Sequence, residues 1–143
     1  NYEPENHQKM VNYRADKVAR IVEDIPDAEV FGNDSGKTLV VTWGSTFGAV
    51  RSAITRLQNR GCQLSHCHLH YLYPMHKNLG DILSRFEQVL VPEMNMGQLS
   101  LLLRQQYLID PRGINKTNGK PFKIIELEEA ILEHLPKADR KTA

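Results

Sequence analysis

The chain has 143 residues, 41% of them hydrophobic and 24% charged, which suits one globular domain with a sizeable buried core. A formal net charge of +1 gives no overall electrostatic attraction for nucleic acid or for an anionic membrane. The longest apolar runs, such as Leu39-Val40-Val41, are far too short to span a bilayer, and the N-terminal residues show no secretory pattern.

In chain order, Val11, Val18, Ile21, Val22 and Ile25 fall at roughly helical spacing among charges, which predicts a helix over residues 5–25 that Pro26 ends. The polar, helix-prone start at Asn1 reads as part of a longer polypeptide. Residues 1–27 are therefore expected to be a packing or connecting helix from a preceding domain, residues 28–136 a domain, and residues 137–143 a flexible tail bearing lysine and arginine. Residues 28–31 suit a short edge strand, followed by the turn-rich Gly32-Asn33-Asp34-Ser35-Gly36. Residues 38–43 form a nearly continuous β-branched and aromatic run, the pattern of a strand covered on both faces. Ser45 is placed to cap a helix whose Phe47, Val50, Ile54 and Leu57 make an apolar stripe, and Arg60-Gly61 to stop it.

Residues 63–71 read as the next strand, Asn78 as the cap of a short helix through Phe86, and residues 88–91 as another buried strand. Leu99, Leu102, Leu103 and Tyr107 predict a helix with one buried face. After the polar residues 110–119, a last strand is expected at 123–126 and a closing helix carrying Leu127, Ala130, Ile131 and Leu135. Alternation of strand and helix predicts right-handed crossovers and a largely parallel sheet.

Two strand ends are candidate sites. Gly44, Ser45 and Thr46 lie between a strand and a helix start, where backbone N–H groups can hold an anion, yet they match neither G-x-G-x-x-G nor a P-loop, so a plain helix cap competes. In Val91-Pro92-Glu93-Met94-Asn95-Met96-Gly97-Gln98-Leu99, the side chains of Glu93, Asn95 and Gln98 gather at a strand-to-helix turn, with Gly97 allowing close backbone approach. Open α/β sheets bind ligands at such carboxyl ends; the competing reading is that these side chains satisfy backbone groups at the helix start.

His66, His68 and His70 alternate along one strand, so their imidazoles share a face, with His76 nearby in sequence. A metal pair is feasible there, but no acidic residue between Cys62 and Asn78 completes it, and packing beneath a helix with local hydrogen bonds is the preferred reading. Cys62 and Cys67, the two cysteines, have poor spacing for a local disulfide and no flanking pattern of a reactive thiolate; a reduced, cytoplasmic setting is the simpler expectation. Arg112, Lys116, Lys120 and Lys123 suit a solvated loop, with a phosphate-bearing ligand or acidic partner as the alternative.

Five motifs in this order carry a resemblance: Pro4-Glu5-Asn6-His7-Gln8-Lys9-Met10-Val11, Val41-Thr42-Trp43-Gly44-Ser45-Thr46, Leu72-Tyr73-Pro74, the Val91–Leu99 motif, and Asn118-Gly119-Lys120-Pro121-Phe122. From about Tyr2 to Leu135 the chain resembles the C-terminal part of the alpha subunit of 2-oxoacid:ferredoxin oxidoreductases, most of all the 2-oxoglutarate type. The resemblance implies a three-layer α/β/α sandwich around a mainly parallel five-stranded sheet, similar to the transketolase C-terminal domain. It further implies that the whole enzyme uses thiamine diphosphate, Mg2+ and an iron–sulfur cluster to decarboxylate a 2-oxoacid oxidatively to acyl-CoA, with the remaining alpha-subunit domains, a beta subunit and ferredoxin as partners. The Gly-Asp-Gly…Asn cofactor motif is missing from this chain, and two cysteines are too few for a four-cysteine cluster. The chain alone is thus expected to be catalytically silent and to bind no cofactor, serving assembly and access for coenzyme A or substrate; a homodimer through a bared apolar patch is one expected form. The competing hypothesis is a self-standing α/β module that binds a nucleotide-like anion or a protein partner. Where the family has a proline-rich loop after the histidine strand, this chain has Tyr73-Pro74-Met75-His76, so no inherited role for His76 is carried over.

Overall fold

A computed structural model describes residues 4–140; the extreme ends of the expected N-terminal helix and tail, 1–3 and 141–143, lie outside the described residues. The elements run α1 (Pro4–Asp24), β1 (Val30–Phe31), β2 (Gly36–Trp43), α2 (Phe47–Asn59), β3 (Ser65–Leu69), α3 (Leu79–Ser84), β4 (Phe86–Glu93), α4 (Gln98–Tyr107), β5 (Arg112–Asn115), α5 (Ile124–His134) and α6 (Lys137–Arg140). The sheet has five strands in the order β1-β3-β2-β4-β5. Strand β1 pairs antiparallel with β3, and the three other pairings are parallel.

Alternate residues of the central strands feed two apolar layers. Leu39, Val41, Cys67, Leu69, Val89 and Val91 point to the side covered by Leu79, Ile82 and Leu83 of α3 and by Leu99 and Leu103 of α4. Val40 and Leu90 point to the other side, against Val50, Ile54 and Leu57 of α2 and Leu127 and Ile131 of α5. A strand buried on both faces needs apolar side chains at consecutive positions, which is why residues 39–41 and 89–91 carry unbroken aliphatic runs.

Several boundaries differ from the sequence expectation. The fifth strand is Arg112–Asn115, not 123–126: Glu126 accepts the backbone N–H of Lys123 at 3.0 Å and opens α5 instead. Phe86 starts β4 rather than ending the preceding helix, and β3 is shorter than 63–71. Asn78 caps nothing with its side chain; its amide pairs with Ala28 in both directions, accepting from the backbone N–H at 2.8 Å and donating to the carbonyl at 2.9 Å. In the expected tail, Lys137–Arg140 form a helical turn, and Arg140 Nε donates to Leu135 O at 2.7 Å. Along α1, Met10, Val11, Tyr13 and Ile21 are exposed, while Val18 and Val22 are half-buried.

Candidate functional site

The connection β2–α2–β3 runs toward one edge of the sheet, whereas β4–α4–β5 runs toward the other. The direction therefore reverses between β2 and β4, and their carboxyl ends open a crevice, the position where open α/β sheets take ligands. A cavity of about 260 Å³ lies there, with residues 43–46 on one side and residues 92–95 on the other. The structure thus brings the two sequence-predicted stretches, far apart in the chain, to one cleft, with Glu93 and Asn95 on its wall and Gly97 and Gln98 just outside it.

Gly44 turns the chain with φ +68 into a 3₁₀ segment, Gly44–Thr46, so α2 begins only at Phe47. Ser45 is consequently not a helix cap: it stands exposed at the cleft, and Thr46 is the buried member, its Oγ1 donating to Trp43 O at 3.1 Å. Across the cleft, Glu93 is buried and turned toward α4: its Oε1 accepts Leu99 N–H at 2.6 Å and its Oε2 accepts Ser100 N–H at 3.2 Å. Asn95 Oδ1 accepts the N–H groups of Gly97 and Gln98 at 2.8 and 3.0 Å, in a turn that Gly97 completes with φ +95. Two carboxylate and two amide-oxygen bonds thus satisfy the orphan donors at the start of α4. Gln98 is left exposed, Trp43 and Met94 give the cleft exposed apolar surface, and Met96 stands exposed further along the same loop. The arrangement offers a surface for contact and positioning; its one carboxylate is already occupied by backbone donors.

The histidines lie on the other side of the α2 start. His66 and His68 face α2, where Thr42 Oγ1 sits 2.6 Å from His66 Nε2 and 2.8 Å from His68 Nδ1, and Arg51 Nε donates to His66 Nδ1 at 2.9 Å. Burial, with the Arg51 cation and His68 adding to it, pushes His66 down to about 3, so it is neutral at ordinary pH. His76 is buried; its Nδ1 donates to Pro26 O at 2.7 Å while its Nε2 accepts the backbone N–H of His70 at 3.2 Å. Sequence reasoning found these histidines but missed Arg51 and the rim residues Asp27 and Glu29, which the topology alone brings to them.

Among the described residues, no three His, Cys, Asp or Glu side chains are placed to hold a metal ion. Cys62 and Cys67 are buried in opposite apolar layers, which does not fit a thiolate-held iron–sulfur cluster, and burial pushes the Cys67 thiol up to about 12. Of the expected basic cluster, Lys116 is tied down: it donates to Glu126 at 2.7 Å and to Pro121 O at 3.0 Å.

No family model matches the chain. The 2-oxoglutarate oxidoreductase subunit KorA of Mycobacterium tuberculosis is 39% identical over 131 residues, covering 91% of this chain and 20% of that protein. The 2-oxoacid:ferredoxin oxidoreductase subunit alpha of Saccharolobus solfataricus is 32% identical over 143 residues, covering 96% of this chain and 23% of that one. The 2-oxoglutarate:ferredoxin oxidoreductase from Magnetococcus marinus, solved with 2-oxoglutarate, coenzyme A and succinyl-CoA bound, matches with a TM-score of 0.85 and 31% identity over 93% of this chain and 24% of that one. The chain is homologous to the alpha subunits of 2-oxoacid:ferredoxin oxidoreductases. It spans about a fifth of the length of these curated relatives, and the higher identity falls on the subunit named for 2-oxoglutarate. The α/β sandwich with a mixed five-stranded sheet agrees with the Magnetococcus marinus structure. Among the described residues, no helix is long and apolar enough to cross a membrane.

Proposed function

We propose that this chain is the C-terminal, non-catalytic domain of the alpha subunit of a cytoplasmic 2-oxoglutarate:ferredoxin oxidoreductase. In this reading residues 28–136 form the domain and residues 1–27 join it to the rest of the subunit. Its partners are the other alpha-subunit domains, a beta subunit and ferredoxin, and the whole enzyme converts 2-oxoglutarate to succinyl-CoA. Thiamine diphosphate with Mg2+ and an iron–sulfur cluster, all held outside this chain, supply the carbanion and one-electron chemistry when bound. What this chain contributes is placement.

The observation that carries the reading is the backbone match to the Magnetococcus marinus enzyme at a TM-score of 0.85. Two features of the molecule support it. Exposed Met10, Val11, Tyr13 and Ile21 on α1 suit a helix that packs on another domain, and exposed Trp43, Met94 and Met96 suit a docking edge around the β2–β4 cleft. Gly44, Ser45, Thr46, Asn95, Gly97 and Gln98 are the residues we assign to that edge, to an interface first and to the approach of coenzyme A second, while Glu93 holds the loop that presents them.

The full-length subunit, purified with its beta subunit, should reduce methyl viologen only when both 2-oxoglutarate and coenzyme A are supplied. Met94→Glu together with Met96→Glu should release the beta subunit or slow turnover without changing the unfolding transition. A purified pair that reduces viologen with no 2-oxoacid would overturn the assignment.

A further inference from the structure

On the β3 side of α2 lies a larger cavity, about 650 Å³, which the proposed function does not use. Its most distinctive wall is Arg51, on the second turn of α2. The guanidinium carbon stands 3.9 Å from the Phe31 ring centroid and 4.8 Å from that of Phe47, so two aromatic rings fix its plane. Its Nε is engaged by His66, and no ion pair among the described residues involves Arg51. A half-buried cation whose two terminal amino groups are left over, held in place and facing a cavity, is a donor fork without an acceptor.

The hydrogen bonds behind it set the protons. Arginine only donates, so His66 Nδ1 must accept, and the neutral ring then carries its proton on Nε2, which donates to Thr42 Oγ1. The second neighbour of the Thr42 oxygen is His68 Nδ1, and we assign the single hydroxyl proton to that contact. The proton of neutral His68 is thereby assigned to Nε2. Arg51, His66, Thr42 and His68 form one directional series that starts and ends on residues lining the same cavity, both with donors to spare.

We propose that this cavity binds an organic oxyanion, a phosphate or carboxylate carried on a flat or apolar body, through the Arg51 terminal amino groups and His68 Nε2–H. The volume lies within the range of small-ligand sites, beyond the need of a bare ion. Phe47 and Tyr71 supply apolar wall for the body of the ligand, and exposed Asp27 and Glu29 stand at the rim, where a hydroxyl or amino group of that body can donate to them. Neither carboxylate lies within salt-bridge distance of Arg51 or His68, so the donors are not already neutralised. The site lies apart from the β2–β4 cleft, and it stands whether or not that cleft docks a partner.

Titration calorimetry on the full-length protein tests this with three probes: adenosine 5′-diphosphate, phthalate and inorganic phosphate. Saturable binding of adenosine 5′-diphosphate or phthalate, tighter than that of inorganic phosphate, is expected, and whichever organic probe wins identifies the anion as phosphate or carboxylate. Arg51→Met and His68→Gln should each weaken it by about tenfold or more, and Arg51→Lys by less, because lysine keeps the charge but not the planar fork. If Arg51→Met fails to fold, Arg51→Lys and His68→Gln carry the comparison. Absence of saturable binding up to about 10 mM of either organic probe, or affinity equal to wild type in Arg51→Lys and His68→Gln, overturns the proposal.

Discussion

Glu93 takes the backbone N–H of Leu99, six residues further on, at 2.6 Å, and so ties the last residue of β4 to the first turn of α4. Both partners are buried, and Ser100 N–H shares the carboxylate. Removing an acceptor of this kind strands two amide donors. Glu93→Ala should lower stability by about 2–4 kcal/mol and Glu93→Gln by about 1–2 kcal/mol, the amide retaining one acceptor but losing the charge. Chemical denaturation midpoints at constant m-value check this, and an unchanged midpoint in Glu93→Ala would remove the capping role.

Gly97 makes a separate statement about the same loop. Its φ is +95, while a Cβ there would meet Asn115 Nδ2 only at an ordinary 3.7 Å. The cost of Gly97→Ala is thus backbone strain without a clash, about 1–2 kcal/mol. A thermal unfolding comparison with Gly48→Ala, inside α2 with open space around it, should show loss in the first and none in the second.

His66 gives the fold a pH dependence. Its native value is about 3 against an unperturbed 6.5, because burial disfavours the imidazolium and Arg51 and His68 repel it. The unfolded chain therefore binds a proton that the folded chain refuses between those limits. Stability should fall as pH drops from about 6.5 toward 3, by about 1.4 kcal/mol per pH unit from this group. His68, also lowered by burial, His70 and Arg51, acts in the same direction. Denaturation at pH 7, 5.5 and 4.5 should show this slope, reduced but not abolished in His66→Gln.

The thiols should be silent. Cys67 is completely buried with its thiol pushed up to about 12, and Cys62 is buried in the opposite layer. A thiol reagent such as dithionitrobenzoate should leave both unmodified in the native protein and react with both in guanidinium. Rapid native labelling of Cys67 would contradict the packing of β3.

The central strands were legible in the sequence because a buried parallel strand has to be apolar at successive positions, and Leu39-Val40-Val41 and Val89-Leu90-Val91 are. Strand β5 was not legible, for the same reason inverted. Only Ile114 of its four residues is buried, so no run announces it, while the β-branched pair Ile124-Ile125 imitates a strand at what is the first turn of α5. The cleft was half legible: both strand ends stood out, but their adjacency depends on β3 inserting beside β2 and leaving β4 on its other flank. Arg51 was unreadable as a site residue, because a lone arginine on an amphipathic helix looks like any solvated charge until Phe31 and His66 arrive from other strands.

The His76 ring bridges two places 44 residues apart in the chain: the carbonyl of Pro26, just beyond α1, and the amide of His70, just beyond β3. This makes it a rivet between the incoming strap of the chain and the lip of the larger cavity. Pro26, Asp27, Ala28 and Glu29 line that cavity together with His70 and His76. The segment that follows the N-terminal helix is therefore also the cavity's wall, and the site is complete only when that segment is pinned in place by His76.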